Sequence, residues 1–381
     1  MFKKKITIGI ISLEDPTDRN ISSGTNYKIV ETLKQNGAEI VWLHPYHSWL
    51  WKLLEKAFRH ILGLFSSKTF MFRHTCLGAF LESQTIKRKN IERCNIIFAS
   101  FSSPACYKLS IPKDKPFFYL SDALWHAMLG YYIENPDIFS KYDGDKIENF
   151  VLKHADIILA PSKWMKESAI RYYHQPLNKI CDINFGANID ENDIIFNKFK
   201  RRETLDLLFI GVDWKRKGGK IAIDATQWLN ENGIKTKLHI IGGKDIDAQS
   251  LKCNNIDYIG MLNKNIPKDY KRFTKEIEQD QVLIFPTQAE CAGIVICEAN
   301  AFGLPVYGTN TGGVSSYITD GVNGRLLPIN SGGKEFGRRI QQDLLSGELD
   351  KMSVLARRRY EEDLNWKSFG DKISEIINEY L

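Results

Sequence analysis

Two glutamates, Glu290 and Glu298, stand eight positions apart in AECAGIVICEANAFGLP, residues 289–305, around a run with almost nothing polar to pair with them. A buried carboxylate is costly unless it accepts hydrogen bonds, and the hydroxyls of a sugar are donors in the number required. The preceding VLIFPT delivers Pro286 and Thr287 to the end of a predicted strand, and Glu290 follows in the loop. Gly293 lets the backbone come close to a ligand. The helix predicted from Ile294 points its first-turn amides and the positive end of its dipole at the same spot. Glu298 lies about one turn inside that helix, so the two carboxylates can address opposite ends of one ligand.

A second group has the charge to match an anion. LLFIGVDWKRKGGKIAIDA, residues 207–225, reads as a strand, a basic loop and a helix opening at Gly218 and Gly219. Arg216, Lys217 and the helix amides suit an anion, which by the family resemblance given below is a departing diphosphate, although such a pair also suits a solvated loop. YLSDALWHAMLGYY, residues 119–132, follows another predicted strand and carries Asp122 and His126. They are its titratable groups, Asp122 ranking first; a hydrogen-bonded structural role is the alternative for His126, and a base or polar clamp on an acceptor hydroxyl is what the family resemblance given below implies for one of them. YDGDK, residues 142–146, contains a D-x-D pattern of the kind that holds a metal beside phosphates. It precedes a helix rather than ending a strand, so Asp143 and Asp145 are read as turn and capping residues and no metal is expected.

The elements that must position these residues alternate in type. Strands are predicted at Ile6–Ile11, Glu39–Leu43, Ile96–Ser100, Pro116–Leu120 and Ile157–Ala160, with a helix at Gly24–Asn36 stopped by Gly37. A second series runs from strand Leu205–Ile210 through helix Lys220–Asn232, strands Lys237–Ile241, Asp257–Ile259 and Val282–Phe285, helix Ile294–Phe302 and strand Pro305–Gly308. Short apolar runs alternating with helices imply parallel sheets and two Rossmann-like domains, 1–190 and 203–364. The polar, irregular Asn184–Arg202 serves as the hinge. The segment 365–381 is amphipathic, with Trp366, Phe369, Ile373, Ile376, Ile377 and Tyr380 at helical spacing.

Composition narrows the class. The 381 residues are 43% hydrophobic, enough for two cores. No apolar run nears the roughly 20 residues a bilayer-spanning helix needs, and a cytoplasmic protein is expected. Seven cysteines without a C-x-x-C pair encode neither a disulfide framework nor a zinc site. Residues 1–120 hold 18 lysines and arginines against 9 aspartates and glutamates, an excess suited to phosphates of a ligand or a membrane surface, or simply to a soluble basic surface; no nucleic-acid partner is expected. Within it, Trp49–His74 interleaves Trp49, Leu50, Trp51, Leu53, Leu54, Phe58, Ile61, Leu62, Leu64 and Phe65 with Lys52, Lys56, Arg59, Lys68 and Arg73. This predicts a basic, aromatic helix pair that either rests on an anionic membrane or packs on the domain's own core.

The stretch PTQAECAGIVICEANAFGLPVYGTNTGGVSSYITDGVNGRLLP, residues 286–328, joins the E-x7-E spacing to G-L-P-V, T-G-G-V and D-G-x-N-G-x-L. In this it resembles the retaining glycosyltransferases of family 4, and the resemblance covers nearly all of the chain. It implies the GT-B fold: two Rossmann-like domains facing a central cleft, with a C-terminal helix, 365–381, crossing back to complete the N-terminal domain. By the same resemblance, Glu290 contacts the donor sugar, Glu298 the ribose, and the backbone of Cys291, Ala292, Gly293, Ile294 and Val295 the diphosphate or sugar. Gly24 and Thr25 of SSGTNYKIV face the donor phosphates across the cleft, and Gly260, Met261 and Leu262 of YIGMLNK border the base. The family often places an arginine directly after the strand's glycine, where this chain has Val212; Lys217 is therefore the principal cation and Arg216 the substitute. HADIILAPSKWMKESAIRYY, residues 154–173, with Ser162 as a helix cap, and FGANID, residues 185–190, match architectural parts of the family.

The resemblance implies a retaining, metal-independent hexosyltransferase without a cofactor, using a nucleotide sugar and a glycan or lipid-linked glycan acceptor. Two rivals keep the fold: a sugar-nucleotide epimerase, which would change the donor's sugar without an acceptor, and a non-catalytic nucleotide- or glycan-binding relative.

Overall fold

The computed structural model describes residues 1–63, 68–246, 251 and 253–380; the predicted Leu64 and Phe65 lie outside them, as does the side chain of Leu62. The chain forms two compact units, one made of Met1–Ile21, Asn26–Ile183 and Gly370–Leu381, the other of Ser22–Thr25 and Asn184–Phe369.

The first unit is a sheet of six parallel strands in the order β2-β1-β3-β4-β5-β6. In chain order these are β1 (Ile6–Ile11), helix α1 (Thr25–Gln35), β2 (Ala38–Trp42), helix α2 (Trp49–Gly63), β3 (Ile96–Ser100), β4 (Phe117–Leu120), helix α3 (Ile138–His154), β5 (Ile157–Ala160), helix α4 (Lys163–Tyr173) and β6 (Ile180–Asp182). Central strands covered on both faces need continuous apolar sequence, and IIFAS, FFYL and IILA of β3, β4 and β5 are buried throughout. Ser162 begins α4 as expected, accepting from the amide of Met165 at 3.2 Å. Asp137, not the D-x-D pair, begins α3, accepting from the amides of Phe139 and Ser140 at 2.8 and 3.1 Å.

The second unit repeats the plan with the order β12-β11-β10-β7-β8-β9. It comprises β7 (Leu205–Asp213), helix α5 (Gly219–Glu231), β8 (Thr236–Lys244), β9 (Ile256–Gly260), helix α6 (Pro267–Gln279), β10 (Val282–Phe285), helix α7 (Ile294–Phe302), β11 (Val306–Thr309) and β12 (Gly324–Leu327). The sequence reading missed β6, β12, α6 and the helices Gly333–Ser346 and Glu348–Glu362. The strand order reverses between β7 and β10, which are hydrogen-bonded neighbours. Ligand sites of open α/β sheets form at such a reversal, beyond the carboxyl ends of the strands.

Three expectations need correction. Asn184–Arg202 is irregular, but it is no exposed polar linker: Phe185 through Ile189 are buried. Among the described residues, Trp49–His74 shows helix α2 and one short 3-10 turn, Phe72–His74, rather than a helix pair. Asp143 and Asp145 lie inside α3 and make tertiary contacts. Helix α8 (Trp366–Asn378) buries Trp366, Phe369, Ile373, Ile376 and Ile377 as its spacing predicts, and from Gly370 onward it belongs to the first unit.

Candidate functional site

The turns that follow β7 and β10 are built against each other. Gly218 caps α5 with φ 74°, and a Cβ there would lie 2.1 Å from the carbonyl oxygen of Pro286, so only glycine lets the two turns meet. The amide of Gln288 donates to the carbonyl of Arg216 at 2.7 Å, stitching them together. Arg216 is braced in turn: its Nη1 donates to the carbonyl of Ala289 at 2.8 Å, and its Nε lies 3.3 Å from Asp213 Oδ2.

This scaffold brings Lys217 onto Glu290. Their ammonium and carboxylate are hydrogen-bonded, with only 15% and 11% of the two side chains exposed, and Arg216 Nη1 stands 4.0 Å from the same oxygen. The Lys217 ammonium also lies 4.9 Å from the centre of the Phe285 ring. Gly293, at φ 87°, caps α7 and its carbonyl accepts from the Ile296 amide at 2.9 Å, leaving the Ile294 and Val295 amides as the end of the helix that faces outward along its axis. Cys291, Ala292, Gly293 and Val295 are buried around that end.

Glu298 sits further along α7 with 4% of its side chain exposed, and it too has a cation: Lys264 Nζ, 2.6 Å from Oε1. The run around the glutamates offers them almost nothing polar, but segments distant in the sequence supply partners. Each has its own lysine, one from the turn after β7 and one from the loop after β9. Lys264 was missed; its only sequence signal is its place two residues beyond the Gly260–Leu262 stretch. In that stretch Gly260 has φ 87° and Met261 is exposed.

Gly24 and Thr25 follow Ser22 and Ser23, which share their positive φ with Gly24, at 49°, 58° and 90°. Ser22 and Ser23, being non-glycine residues in the left-handed region, hold strain, whereas Gly24 takes its φ freely. The turn is tied by Asn188, whose Nδ2 donates to Ser23 O at 2.9 Å and to Thr25 Oγ1 at 3.1 Å. Asn188, in FGANID, is thus more than the architectural residue the sequence suggested.

Asp122 and His126 belong to the first unit. Asp122 is half-buried in the turn after β4, and His126 is exposed. His126 Nδ1 lies 3.1 Å from Asp145 Oδ2, Asp145 Oδ1 accepts from the Tyr173 hydroxyl at 2.9 Å, and that hydroxyl accepts from the His126 amide at 3.0 Å. The second aspartate of the D-x-D pattern therefore orients a histidine. The first, Asp143, accepts from the Cys76 amide at 2.9 Å. Among the described residues no cluster of three or more metal-ligating side chains occurs.

The buried Glu148 stands 3.4 Å from the amide of Trp125, the neighbour of His126, and accepts from the Tyr119 hydroxyl at 2.6 Å and the Ser103 hydroxyl at 3.1 Å. Burial pushes its carboxyl up to about 7, against the hydrogen bonds that favour its anion.

Comparison with known proteins agrees with this architecture. Residues 190–359 match the family model for glycosyl transferases group 1. The chain is 22% identical over 287 residues to the lipopolysaccharide glucosyltransferase WaaG of Escherichia coli K12, covering 73% of each. It spans about half or less of the length of the first curated relatives it matches. Among solved structures, the sucrose-phosphate synthase of Thermosynechococcus elongatus superposes with a TM-score of 0.72 at 15% identity, covering 98% of both chains. Anabaena HepE, in complex with UDP and glucose, gives 0.66 at 15%, covering 98% of this chain and 100% of that one. The fold is GT-B, as the resemblance implied.

Proposed function

We propose that this chain is a retaining, metal-independent hexosyltransferase that moves a sugar from a nucleotide donor to an acceptor hydroxyl. The observation that carries the reading is the pairing of Lys217 with Glu290 at the strand-order reversal, beside the amino end of α7.

In this reading Glu290 accepts from the donor sugar's hydroxyls, and the amides of Gly293, Ile294 and Val295 meet the diphosphate, with Cys291 and Ala292 shaping the turn. Glu298 takes the ribose and Gly260, Met261 and Leu262 border the base. Gly24 and Thr25 add contacts to the phosphates. A sugar hydroxyl arriving at Glu290 competes with Lys217, freeing its ammonium for the phosphate oxygens. The acceptor oxygen forms its bond to the anomeric carbon on the face from which the diphosphate leaves, and the diphosphate takes the acceptor's proton. Lys217 and Arg216 stabilise the departing charge, so no protein nucleophile is needed. Asp122 or His126 orients the acceptor.

The acceptor is a glycan or lipid-linked glycan. The similarity to a lipopolysaccharide glucosyltransferase supports this, as does α2, which exposes Trp49, Leu50, Leu53 and Ile61 beside Lys52 and Lys56. We assign α2 to peripheral contact with the inner face of an anionic membrane.

Melting-temperature shifts across a panel of nucleotide sugars identify the donor, since a ligand bound by the folded state alone raises stability. With that donor and an acceptor, Lys217→Ala is expected to lower kcat on the order of 100-fold or more. Unchanged turnover in both Lys217→Ala and Glu290→Ala would refute the assignment. Efficient change of the donor's sugar without acceptor would show an epimerase.

A further inference from the structure

We propose that Lys264 is a positioning residue for the nucleotide: it fixes the Glu298 carboxylate so that the chain selects ribonucleoside over 2′-deoxyribonucleoside diphosphates. This rests on the reading that Glu298 receives the ribose.

Glu298 is 3% exposed, and a carboxylate so placed is costly without a counter-charge. Lys264 supplies it at 2.6 Å. A lysine on a free loop is a flexible point charge, poorly suited to fixing another side chain. Lys264 is held on several sides. Its ammonium lies 4.3 Å from the centre of the Phe273 ring, and Phe273 is buried on α6. The backbone on either side is pinned: the amide of Asn263 donates to Asp269 Oδ2 at 3.1 Å, and that of Asn265 to Asn263 Oδ1 at 2.9 Å. The amide of Ile266 donates to the carbonyl of Asn263 at 2.9 Å, and Pro267 starts α6 directly after it.

The ammonium thus has one place to be, and the carboxylate it grips acquires one orientation. A ribose hydroxyl donating to a charged acceptor that is already oriented gains the full worth of a charge-assisted hydrogen bond. A carboxylate free to turn loses part of it. Lys217 is not a substitute, because it is engaged with Glu290. Lys264 also stands two residues beyond Leu262, so the loop proposed to border the base carries the residue that sets the ribose contact.

The test is calorimetric titration of the intact chain with uridine and guanosine diphosphates, each in ribo and 2′-deoxy form. The wild-type chain is expected to prefer the ribo form of its nucleotide by about tenfold or more. Lys264→Met is expected to abolish that preference while leaving deoxy affinity within about twofold, and Lys264→Arg to restore most of it. Glu298→Gln should lose the same preference, and the Lys264→Met/Glu298→Gln double variant should lose no more. A ribo preference that survives in Lys264→Met overturns the inference and leaves the proposed function standing, as does an equal loss for both forms. A wild-type chain that binds none of the four, nor adenosine, cytidine or thymidine diphosphate when these are added to the panel, overturns both. If Lys264→Met loses the wild-type circular dichroism spectrum, Lys264→Gln, which keeps the length and a donor, is read by the same ratio.

Discussion

Glu148 shows how burial sets the behaviour of a single side chain. With its carboxyl pushed up to about 7 from an ordinary 4.5, the folded chain holds a proton that the unfolded chain releases. The resulting stabilisation is fully present below about 4.5 and is lost as pH rises through 7. Relative to Glu148→Gln, the wild-type protein should lose roughly 3 kcal/mol between those limits, read from urea unfolding at a series of pH values. A constant difference would contradict the assignment. At this scale the sequence was legible in part. Glu290 and Glu298 stood out as carboxylates set on an apolar run, while their roles and the choice of Lys217 came from the family resemblance and not from spacing alone. Their pairing was not legible, because Lys217 and Glu290 are 73 residues apart in the chain and Lys264 and Glu298 34 apart. Only the convergence of separate turns on one sheet edge makes neighbours of them. Asp145 was misread for the same reason: its partners, His126 and Tyr173, come from other elements.

Among the elements, the central strands declared themselves as unbroken apolar runs, since both faces of a parallel sheet are covered. The two outermost strands β6 and β12, absent from the sequence pattern, have only three and four residues, and half-buried or exposed positions interrupt their apolar run. Helix α2 has the opposite character, with a pattern that is clear while its partner is unstated. Trp51 is buried, and its Nε1 donates to the carbonyl of Gly78 at 3.0 Å, so one side of the helix is anchored. Leu53 and Ile61 are 54% and 53% exposed on another side. Anchoring one side leaves the other to carry the membrane contact assigned to it. Vesicle sedimentation should show binding to phosphatidylglycerol-containing but not to pure phosphatidylcholine vesicles. Lys52→Gln/Lys56→Gln should weaken that binding by about tenfold or more. Equal binding to both vesicle types would remove the electrostatic part of the proposal.

Across the whole molecule, the division into units does not follow chain order. Helix α8 leaves the second unit at Gly370 and finishes in the first. There Asn36 Nδ2 donates to the carbonyl of Gly370 at 2.7 Å and to Ser374 Oγ at 2.8 Å, and Ile373, Ile376 and Ile377 are buried. Each large aliphatic side chain lost from a core costs about 2–5 kcal/mol, and whole domains are stable by only about 5–15 kcal/mol. A chain truncated after Phe369 should therefore open its first unit to limited proteolysis while the second remains resistant. Uniform resistance would show that the terminal half-helix is dispensable. The amphipathic spacing of 365–381 revealed a buried face, but the direction in which it packs came from the family resemblance rather than from the pattern.

The same helix imposes an order on biosynthesis. Domains are generally completed from the amino terminus as the ribosome extends the chain. Here the unit that begins first cannot close first: its sheet must wait, with the surface that receives Ile373 and Ile377 uncovered, until almost two hundred further residues have been made. Apolar surface left uncovered in that interval is the kind that exposes a nascent chain to aggregation.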